Sequence, residues 1–472
     1  MEVMSEQSEN EESEWETVTT KKMLSYSLGF LLVNSVGSGS AIVFYYFEVE
    51  IGLPVALLGL ALVIFAIWNM INDPLAGYLT DRPFKFTKKW GMRFPWILIG
   101  IIPTSIFMFL LFLSPDADPS NPWPVFWYFL IISCVADMFF SIFTTHINAG
   151  YTTHFRSDAE RRRSSAINNF IPAILGLFWG FIGPLIVVYG DKQTFILSAF
   201  ISFVIRIILI ILLIPGIRES EELKERFLRG YEITEKKERV SYWKTMKKAF
   251  KRRNFTTTFL VFLFLSLSGT LYGASGIYFM KDVLRLPLYF AIYTALGGFI
   301  GFMVFIPFWV NRMNKYGAPK IMKISLILIA LSYIPVLWIT TIEEAVFFSF
   351  TGGMALGAYT ISLGPVAADV YDECTISDGK HQEAMYEGIR TFFFRSALIF
   401  QALIFTVVHI LTAYNPDPDA IQTPLAVWGI RVHMGLIPSL LTLVSFFIMV
   451  KWYDLEGEKR LAVKIKLQEL GL

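Results

Sequence analysis

Charged residues are scarce in this sequence: Asp, Glu, Lys and Arg make up 17% of its 472 residues, against about 25% in ordinary soluble domains. Hydrophobic residues reach 54% and aromatic residues 16%. This composition excludes an ordinary soluble protein and predicts an integral membrane protein that lies in a lipid bilayer.

Cysteine is nearly absent as well, since only Cys134 and Cys374 occur. A disulfide framework and a cysteine-rich metal site are therefore excluded. The sequence contains neither H-E-x-x-H nor G-x-S-x-G, which argues against an enzyme. No basic patch interleaved with aromatic residues lies outside the loops that flank the apolar runs, so nucleic acid is not expected as a partner. We expect no cofactor.

Apolar runs long enough to cross a bilayer, about 20 residues each, are what the sequence has in abundance. Twelve such runs occur, near residues 24–47, 55–80, 94–114, 123–148, 165–189, 193–215, 255–280, 287–310, 320–340, 343–368, 391–412 and 428–451. They predict an all-α integral membrane protein with twelve transmembrane helices.

The polar segments between the runs divide the chain into five parts. We expect a disordered cytoplasmic tail at 1–22, a six-helix bundle at 23–215, a cytoplasmic central loop at 216–254, a second six-helix bundle at 255–451 and a cytoplasmic C-terminal tail at 452–472. Within the central loop, residues 242–250 have an amphipathic pattern. It suits a helix on an anionic membrane surface or, equally, a solvated charged helix.

The distribution of positive charge predicts the orientation. With both termini in the cytoplasm, 35 of the 41 Lys and Arg residues fall in cytoplasmic segments and four fall on the external side, whose connections carry acids such as Glu48, Glu50 and Asp417. Lys and Arg accumulate on the cytoplasmic side of membrane proteins. We therefore expect a protein of the cell membrane with both termini inside.

The second run carries a polar stripe, because Asn69, Asn72 and Asp73 lie three and four residues apart and so share one face of a helix. A carboxylate at membrane depth costs about 2.5 to 3.5 kcal/mol on insertion scales, so a purely structural role for Asp73 is the less favoured interpretation. This helix is predicted to line a transport pathway.

Two further runs contain ionisable residues. The fourth run holds Asp137, with Ser141 four residues along the same face, and the eleventh run holds Arg395. A guanidinium inside a membrane needs an acidic partner or water. We expect Asp73, Asp137 and Arg395 to face one water-filled cavity between the halves. His146, near the end of the fourth run, is expected to be partly solvated rather than a proton relay.

Three stretches resemble a known family. The string W-N-x-x-N-D-P-x-x-G-x-x-x-D-R at 68–82, followed by W-G-x-x-x-P-W at 90–96, is similar to helix II and loop 2–3 of the glycoside-pentoside-hexuronide:cation symporters. That family is the melibiose-permease branch of the major facilitator superfamily. The segment at 369–388 resembles the family's D-Y-D-E and G-x-x-x-E-G motifs. The resemblance implies the major facilitator fold, with two six-helix pseudo-repeats, and cation-coupled transport.

The resemblance also implies roles for individual residues. Coupling to a cation or proton is expected at Asp73, Asn69, Asn72 and Asp137. The substrate cavity is expected to contain Asn34, Asp137, Ser141, Asn169 and Arg395. The cytoplasmic gate is expected to contain Asp81, Arg82, Arg93, Asp369, Asp372 and Glu373, whose acids either pair with arginines of the first half or form a solvated acidic loop.

The sequence departs from the family at positions that bind solute and cation. Asn69 replaces the first of two helix II acids, Asn34 a helix I acid, Asn169 a helix V arginine, Ser141 a helix IV tryptophan and Cys134 a cation-binding threonine. A melibiose-like sugar is therefore not supported. An amide and a thiol are also weaker ligands for a hard cation than a carboxylate and a hydroxyl, so no metal is expected beyond a Na⁺ ion at Asp73.

Charge then predicts the coupling. Two carboxylates and Arg395 leave one net negative charge in the cavity, which a proton or a monovalent cation would neutralise. We expect a monomeric symporter for a small polar solute such as a sugar or glycoside, driven by H⁺ or Na⁺ with H⁺ favoured. Two alternatives stay open: a cation-coupled transporter of an amphipathic lipid such as a lysophospholipid, and a permease-like receptor or sensor that does not transport.

The predicted orientation can be tested with single cysteines in a Cys134→Ala, Cys374→Ala background. Cysteine at Ser220 should react with an impermeant thiol reagent only from the cytoplasmic side, and cysteine at Asp417 only from outside, because positive charge keeps the central loop in the cytoplasm. Equal labelling of both positions from outside would contradict the orientation.

Overall fold

The computed structural model describes residues 18–37, 40–80, 84–155, 158–225, 242–378 and 383–469. Within these ranges every extended regular element is a helix, and the β-type pairing is limited to one isolated bridge between Asp118 and Asn121. The predicted all-helical class is confirmed.

Six helical spans, α1 to α6, form the first half. They are α1 (Thr20–Gly37, then Ser40–Tyr45 and the π-helical turn Tyr46–Glu50), α2 (Val55–Thr80), α3 (Phe94–Leu110), α4 (Trp123–His154), α5 (Asp158–Trp179, then Ile182–Ile186) and α6 (Lys192–Ile217).

Six more spans, α7 to α12, form the second half. They are α7 (Arg253–Tyr278 and the π-helical turn Phe279–Val283), α8 (Ala291–Tyr316), α9 (Ala318–Tyr333), α10 (Ile342–Asp378), α11 (Glu383–Leu411) and α12 (Pro424–Arg431, the π-helical turn Val432–Leu436 and Ile437–Trp452). Among the described residues, ten segments are long and apolar enough to cross a membrane, and α11 adds the shorter apolar stretch Ser396–Leu411. The spans follow the twelve predicted runs.

Three short helices lie outside the spans: Lys85–Trp90, Tyr242–Ala249 and Gly457–Glu469. The second of them is the helix that the amphipathic pattern of the central loop predicts. The junction of α8 and α9 is a single residue, Gly317, with φ +84°, a conformation that glycine adopts without the steric cost of a Cβ.

Glycines bring α8 and α10 into backbone contact. A Cβ on Gly301 would lie 2.1 Å from the Phe350 carbonyl oxygen, and one on Gly353 would lie 1.9 Å from the Gly298 carbonyl oxygen. Small residues allow such approaches in membranes, where packing rather than hydrophobicity drives helix association. Gly176 of α5 makes no such approach, because a Cβ there would meet only a Leu31 methyl group at 4.0 Å.

Among the described residues, the apolar core joins the two halves at one end of the molecule. We call this end, at the 50–55 and 411–424 connections, the outer end. The opposite end, where α1 begins and α12 ends, is the inner end. At the outer end Phe44 and Phe47 of α1 share one buried cluster with Tyr278 of α7 and Phe405 of α11.

At the inner end each half has its own core. The cluster around Tyr26 and Phe143 contains no residue of the second half, and the cluster around Phe255 and Tyr386 contains no residue of the first half. Within the described residues, the halves therefore share a core at the outer end and have separate cores at the inner end.

The glycine contacts predict a stability difference within α10. Gly353→Ala should destabilise the protein by about 1 to 3 kcal/mol, because the added methyl group overpacks a backbone contact. Gly364→Ala is the matched control on the same helix: its Cβ would meet nothing within 4 Å, so stability should stay the same or rise slightly. Thermal unfolding of the detergent-solubilised variants measures both, and equal melting temperatures for the two would contradict the packing.

Candidate functional site

A buried carboxylate joins α2 and α4 near the middle of the membrane. Asn69 Nδ2 donates to Asp137 Oδ1 at 2.7 Å, and Asn72 Nδ2 donates to Asp137 Oδ2 at 3.1 Å. Asn72 Nδ2 also lies 3.0 Å from the Ser141 hydroxyl oxygen. All four side chains are buried. The spacing of three residues between the asparagines, on α2, points both amides at α4.

One polar atom of this group has no partner within the described part of the chain. The carbonyl oxygen of Asn69 is buried and accepts no hydrogen bond, although its amide nitrogen is bound to Asp137. A buried unpaired acceptor is unfavourable by about 1 to 3 kcal/mol. An oxygen in this position, beside a carboxylate, is a ligand of the kind that hard cations prefer.

A cavity of about 170 Å³ opens beside Asp137. Residues of α1, α2, α3, α4 and α11 line it, so both halves contribute to its wall. The polar side chains of the lining are Thr104, Ser133, Asp137 and Gln401, and the others are apolar. Its chemistry is that of one charged group in a largely apolar chamber.

Asp73 and Arg395 lie on α2 and α11, and their side chains fall outside the described part of the structure. The two helices pack against each other, and near the outer end a Cβ on Gly59 would lie 2.1 Å from the Thr406 hydroxyl oxygen. Their predicted roles in coupling and substrate binding stay predictions.

The other predicted cavity residues are placed differently. The side chains of Asn34 on α1 and Asn169 on α5 are exposed, and Asn169 Nδ2 donates to the Ser165 carbonyl at 2.8 Å. Neither residue lines the cavity beside Asp137. Asn34 and Asn169 are therefore separate from the Asp137 group in this conformation.

A second cavity, of about 660 Å³, lies between α5 and helices α7 to α10. Its polar groups are hydroxyls, those of Tyr272, Thr294, Ser332, Tyr333 and Ser349, and no ionisable acid or base with an ordinary pKa near neutrality lines it. Gly269 faces it, and a Cβ there would meet nothing within 4 Å.

The loop between α2 and α3 is fixed by a residue of the central loop. Glu219 accepts from the backbone N–H groups of Met92, at 2.5 Å, and Arg93, at 2.7 Å, and so caps α3. A Cβ on Gly91, whose φ is +109°, would lie 2.1 Å from Glu219 Oε2, which explains the glycine of the W-G motif. Burial raises the pKa of the Glu219 carboxyl, and the two N–H donors oppose that effect.

His146 corrects one prediction. It is 1% exposed rather than partly solvated. Its Nε2 lies 2.7 Å from the Thr80 hydroxyl, and its Nδ1 lies 3.3 Å from Arg93 Nη1. Arg93, a predicted gate residue, thus contacts its own half in this conformation. Asp81 and Arg82 lie outside the described residues.

The gate acids of α10 contact the second half. Asp369 Oδ2 lies 2.6 Å from Arg460 Nε of the C-terminal helix, and Glu373 accepts from Asn254 Nδ2 at 3.1 Å. Asp372 is half-buried between them on the same helix. The predicted pairing of these acids with arginines of the first half belongs to a state that is closed at the inner end. This structure is closed at the outer end, so the pairing stays a prediction.

A second group of buried ionisable residues lies at the outer end, where the charge pattern predicts external acidic loops. Glu48 is placed by that pattern in a connection, but it lies in the π-helical turn of α1 and is 2% exposed. Its carboxylate accepts from the Tyr278 hydroxyl of α7 and lies 2.7 Å from His409 Nδ1 of α11. In the sequence, Glu48 is an acid at the end of the first apolar run. Hydropathy alone does not show whether such a residue lies in the helix or in the connection after it.

Comparison with known proteins agrees with this architecture. Residues 25–457 match the family described as MFS/sugar transport protein. The glucuronide carrier protein homolog of Escherichia coli is 20% identical over 95% of this chain and 94% of its own length. The putative glycoside/cation symporter YagG of the same organism is 25% identical over 37% of this chain and 38% of its own length. An uncharacterized symporter of Synechocystis is 36% identical, over 24% of this chain and 21% of its own length.

Solved structures show the same fold. The nucleoside transporter NupG aligns over 92% of this chain and 100% of its own, with a TM-score of 0.60 and 16% identity. A bacterial homologue of the human peptide transporters PepT1 and PepT2 aligns over 96% of this chain and 99% of its own, with a TM-score of 0.59 and 13% identity. With the twelve helices, the motif of α2 and a family match along nearly the whole chain, the protein belongs to the MFS/sugar transport family of the major facilitator superfamily.

Proposed function

We propose that this protein is a secondary transporter that carries a small polar solute, of the sugar or glycoside class, together with a proton or a monovalent cation. The observation that carries the proposal is the buried carboxylate of Asp137, held by two amides at the edge of a cavity that both halves line. An intramembrane carboxylate is expensive and marks a pathway for ions or substrates.

The unpaired oxygen of Asn69 supports the coupling part of the proposal. A cation bound between it and the Asp137 carboxylate would satisfy the oxygen and balance the charge. A proton on the carboxylate would balance the charge but would leave the oxygen without a ligand unless a water accompanies it. The site thus suits H⁺ with water or Na⁺ directly.

The geometry of α2 and α11 supports a similar depth in the membrane for Asp73 and Arg395. Because α2 and α11 run antiparallel and contact at Gly59 and Thr406, position 73 lies about 21 Å along α2 from that contact and position 395 about 16 Å along α11. The backbone thus carries Asp73 and Arg395 to neighbouring turns. One carboxylate, one guanidinium and Asp137 would then share the region between the halves.

Closure at one end and separate cores at the other support alternating access. A solute reaching Asp137 from the inner end would meet a closed outer end, where the two halves share a core. In the reverse state the outer contacts would separate, and the acids of α10 would meet arginines of the first half. Binding that neutralises the cavity would favour the passage between the states, because closure around an uncompensated charge is unfavourable. No cofactor, nucleic acid or catalytic step enters this scheme, and a monomer suffices for it.

The cavity lining gives specific support to a second candidate solute. Beside Asp137 the wall is mostly phenylalanine, leucine, valine and methionine. A highly hydroxylated sugar would leave many of its hydroxyl groups without partners there. An amphipathic solute, such as a glycoside with an apolar aglycone or a lysophospholipid, would use both the carboxylate and the apolar wall.

Uptake by purified protein in proteoliposomes tests the proposal. Radiolabelled sugars, alkyl glycosides and lysophospholipids would be offered with an imposed Na⁺ gradient, an imposed H⁺ gradient or neither. Gradient-dependent accumulation of any solute supports transport. The absence of uptake across the panel, with ligand binding retained, would favour a receptor or sensor instead.

Asp137→Asn should lower gradient-driven uptake about tenfold to hundredfold. The substitution removes the charge and replaces an acceptor with an N–H₂ group facing the Asn69 and Asn72 donors, and hydrogen bonds to charged groups contribute about 1.5 to 3 kcal/mol. Asp118→Asn is the matched control, since Asp118 is an exposed loop residue and uptake should be unchanged. Parental uptake by Asp137→Asn would refute the site.

Asp73→Asn should separate accumulation from exchange. Permanent neutralisation removes the need for a coupling cation, so accumulation against a gradient should vanish while solute binding and equilibrative exchange remain. Counterflow in the same proteoliposomes measures the exchange. If Asp73→Asn still concentrates solute as the parent does, Asp73 is not the coupling residue.

A further inference from the structure

Four buried ionisable side chains from both halves meet at the outer end, and we call Glu48, Lys281, Asp282 and His409 the outer cluster. Glu48 Oε1 lies 2.7 Å from His409 Nδ1, and both side chains are at most 3% exposed. Lys281 Nζ lies 3.7 Å from Asp282 Oδ1, and these side chains are 9% and 4% exposed. The first residue belongs to α1 and the other three to α7 and α11.

Tyrosine hydroxyls complete the hydrogen bonds of both carboxylates. The Tyr278 hydroxyl donates to Glu48 Oε2, and the Tyr414 hydroxyl donates to Asp282 Oδ2 at 3.0 Å. The cluster is therefore a built polar site rather than a chance contact. Glu48 belongs to the first half, and its partners Tyr278 and His409 belong to the second. These contacts must therefore break before the outer end can open.

The backbone at this site is unusual in three places. Glu48 lies in the π-helical turn of α1, Lys281 and Asp282 lie in that of α7, and His433, whose ring lies 5.4 Å from that of His409, lies in that of α12. π-helical turns are rare and are frequent at functional sites. Three of them converging on one buried group of charges indicates a function there.

The charges of the outer cluster do not balance without a proton. Two carboxylates and one ammonium leave one net negative charge, and Lys281 with Asp282 already form a neutral pair within α7. The unbalanced group is Glu48 facing His409. One proton shared by these two makes the buried cluster neutral, and a net charge buried in low dielectric is strongly unfavourable.

We propose that the outer cluster is a proton-binding site that is filled while the outer end is closed and emptied when the outer end opens. On opening, Glu48 separates with the first half and is hydrated as a carboxylate, while His409 remains with the second half. In water a histidine loses its proton above about pH 6.5. Opening above that pH therefore releases one proton to the outer side.

The sign of the pH dependence follows from this proton count. The closed state binds one more proton than the open state, so lowering the pH favours closure. As the pH falls toward about 6.5, the ratio of closed to open molecules should rise by up to about tenfold for each pH unit. Below about pH 6.5 a hydrated histidine also binds a proton, so the dependence fades.

The other groups that face the cluster do not remove the charge imbalance. The Tyr45 ring lies 5.8 Å from Lys281 Nζ, and His433 Nδ1 lies 2.7 Å from the Ser275 hydroxyl. Glu50 is half-buried and accepts from the Gly190 N–H at 3.0 Å, and because its charge is negative it does not offset that of Glu48. Tyr189 and Tyr414 contribute hydroxyls without charge at neutral pH.

Pulsed electron paramagnetic resonance on the full chain in nanodiscs tests the proposal without any solute. Spin labels on Ser120→Cys and Ile421→Cys, exposed positions of the two halves at the outer end, report closed and open populations in the Cys134→Ala, Cys374→Ala background. The parent should show up to about a tenfold change of their ratio per pH unit.

Two charge variants and two controls make the result specific. Glu48→Gln and Asp282→Asn each leave the cluster neutral without a proton, so both should abolish the pH dependence. Tyr278→Phe removes a hydrogen bond but no charge, so it should lower the ratio of closed to open molecules about tenfold at every pH and keep the slope. Glu343→Gln should also keep the slope, because Glu343 is an exposed acid at the outer end that lies outside the cluster.

The proposal is overturned if the parent shows no pH dependence between 6.5 and 8.5. It is equally overturned if both charge variants retain the parental slope, or if Glu343→Gln abolishes it. Because no solute is present, these outcomes test the outer cluster alone. The transport proposal is tested separately by the uptake assays.

Discussion

A carboxylate in the middle of an apolar bundle must find donors, and the packing of α2 on α4 supplies them. Asn69 and Asn72 present their amides to Asp137 because they lie three residues apart on one helix. Removing those contacts would take two hydrogen bonds from a buried charge, and hydrogen bonds to charged groups contribute about 1.5 to 3 kcal/mol each. These hydrogen bonds fix which faces of α2 and α4 pack together. Asp137 also borders the cavity.

The molecule places ionisable groups at two levels with different partners. Around Asp137 two of the partners are neutral amides of the same half, and those contacts do not depend on how the halves are arranged. At the outer end Glu48 has partners on the opposite half, so those contacts exist only while the halves are together. In the proposed cycle, the first level would hold the coupling ion and the second would respond to which end is closed.

Sequence patterns predicted the helices well, because hydropathy depends on local composition, and it located the twelve spans. The spacing of Asn69 and Asn72 placed both amides on one face of α2, but it was the family resemblance that grouped them with Asp137 of α4. The same reasoning failed at Glu48, since a π-helical turn extends α1 past the point where apolar residues end. Periodicity does not reveal which charges a helix extension buries.

Long-range partners were the other limit of sequence reasoning. His146 is buried because Thr80 and Arg93 come from other segments, and nothing near His146 in the chain indicates them. Asp369 contacts Arg460 of a helix about 90 residues away along the chain. Such pairings also change with the conformational state, so a single sequence pattern corresponds to more than one set of contacts.

The glycine contacts between α8 and α10 have a mechanical consequence. Backbones that touch at Gly301 and Gly353 leave no side-chain layer that could slide or repack between the two helices. The two helices are therefore expected to form a rigid unit, because bending within it would break close-packed main-chain contacts. In the proposed cycle, relative motion would then occur at the contacts between the halves, at α1 with α7 and α2 with α11. The pair formed by α8 and α10 would move as one rigid unit.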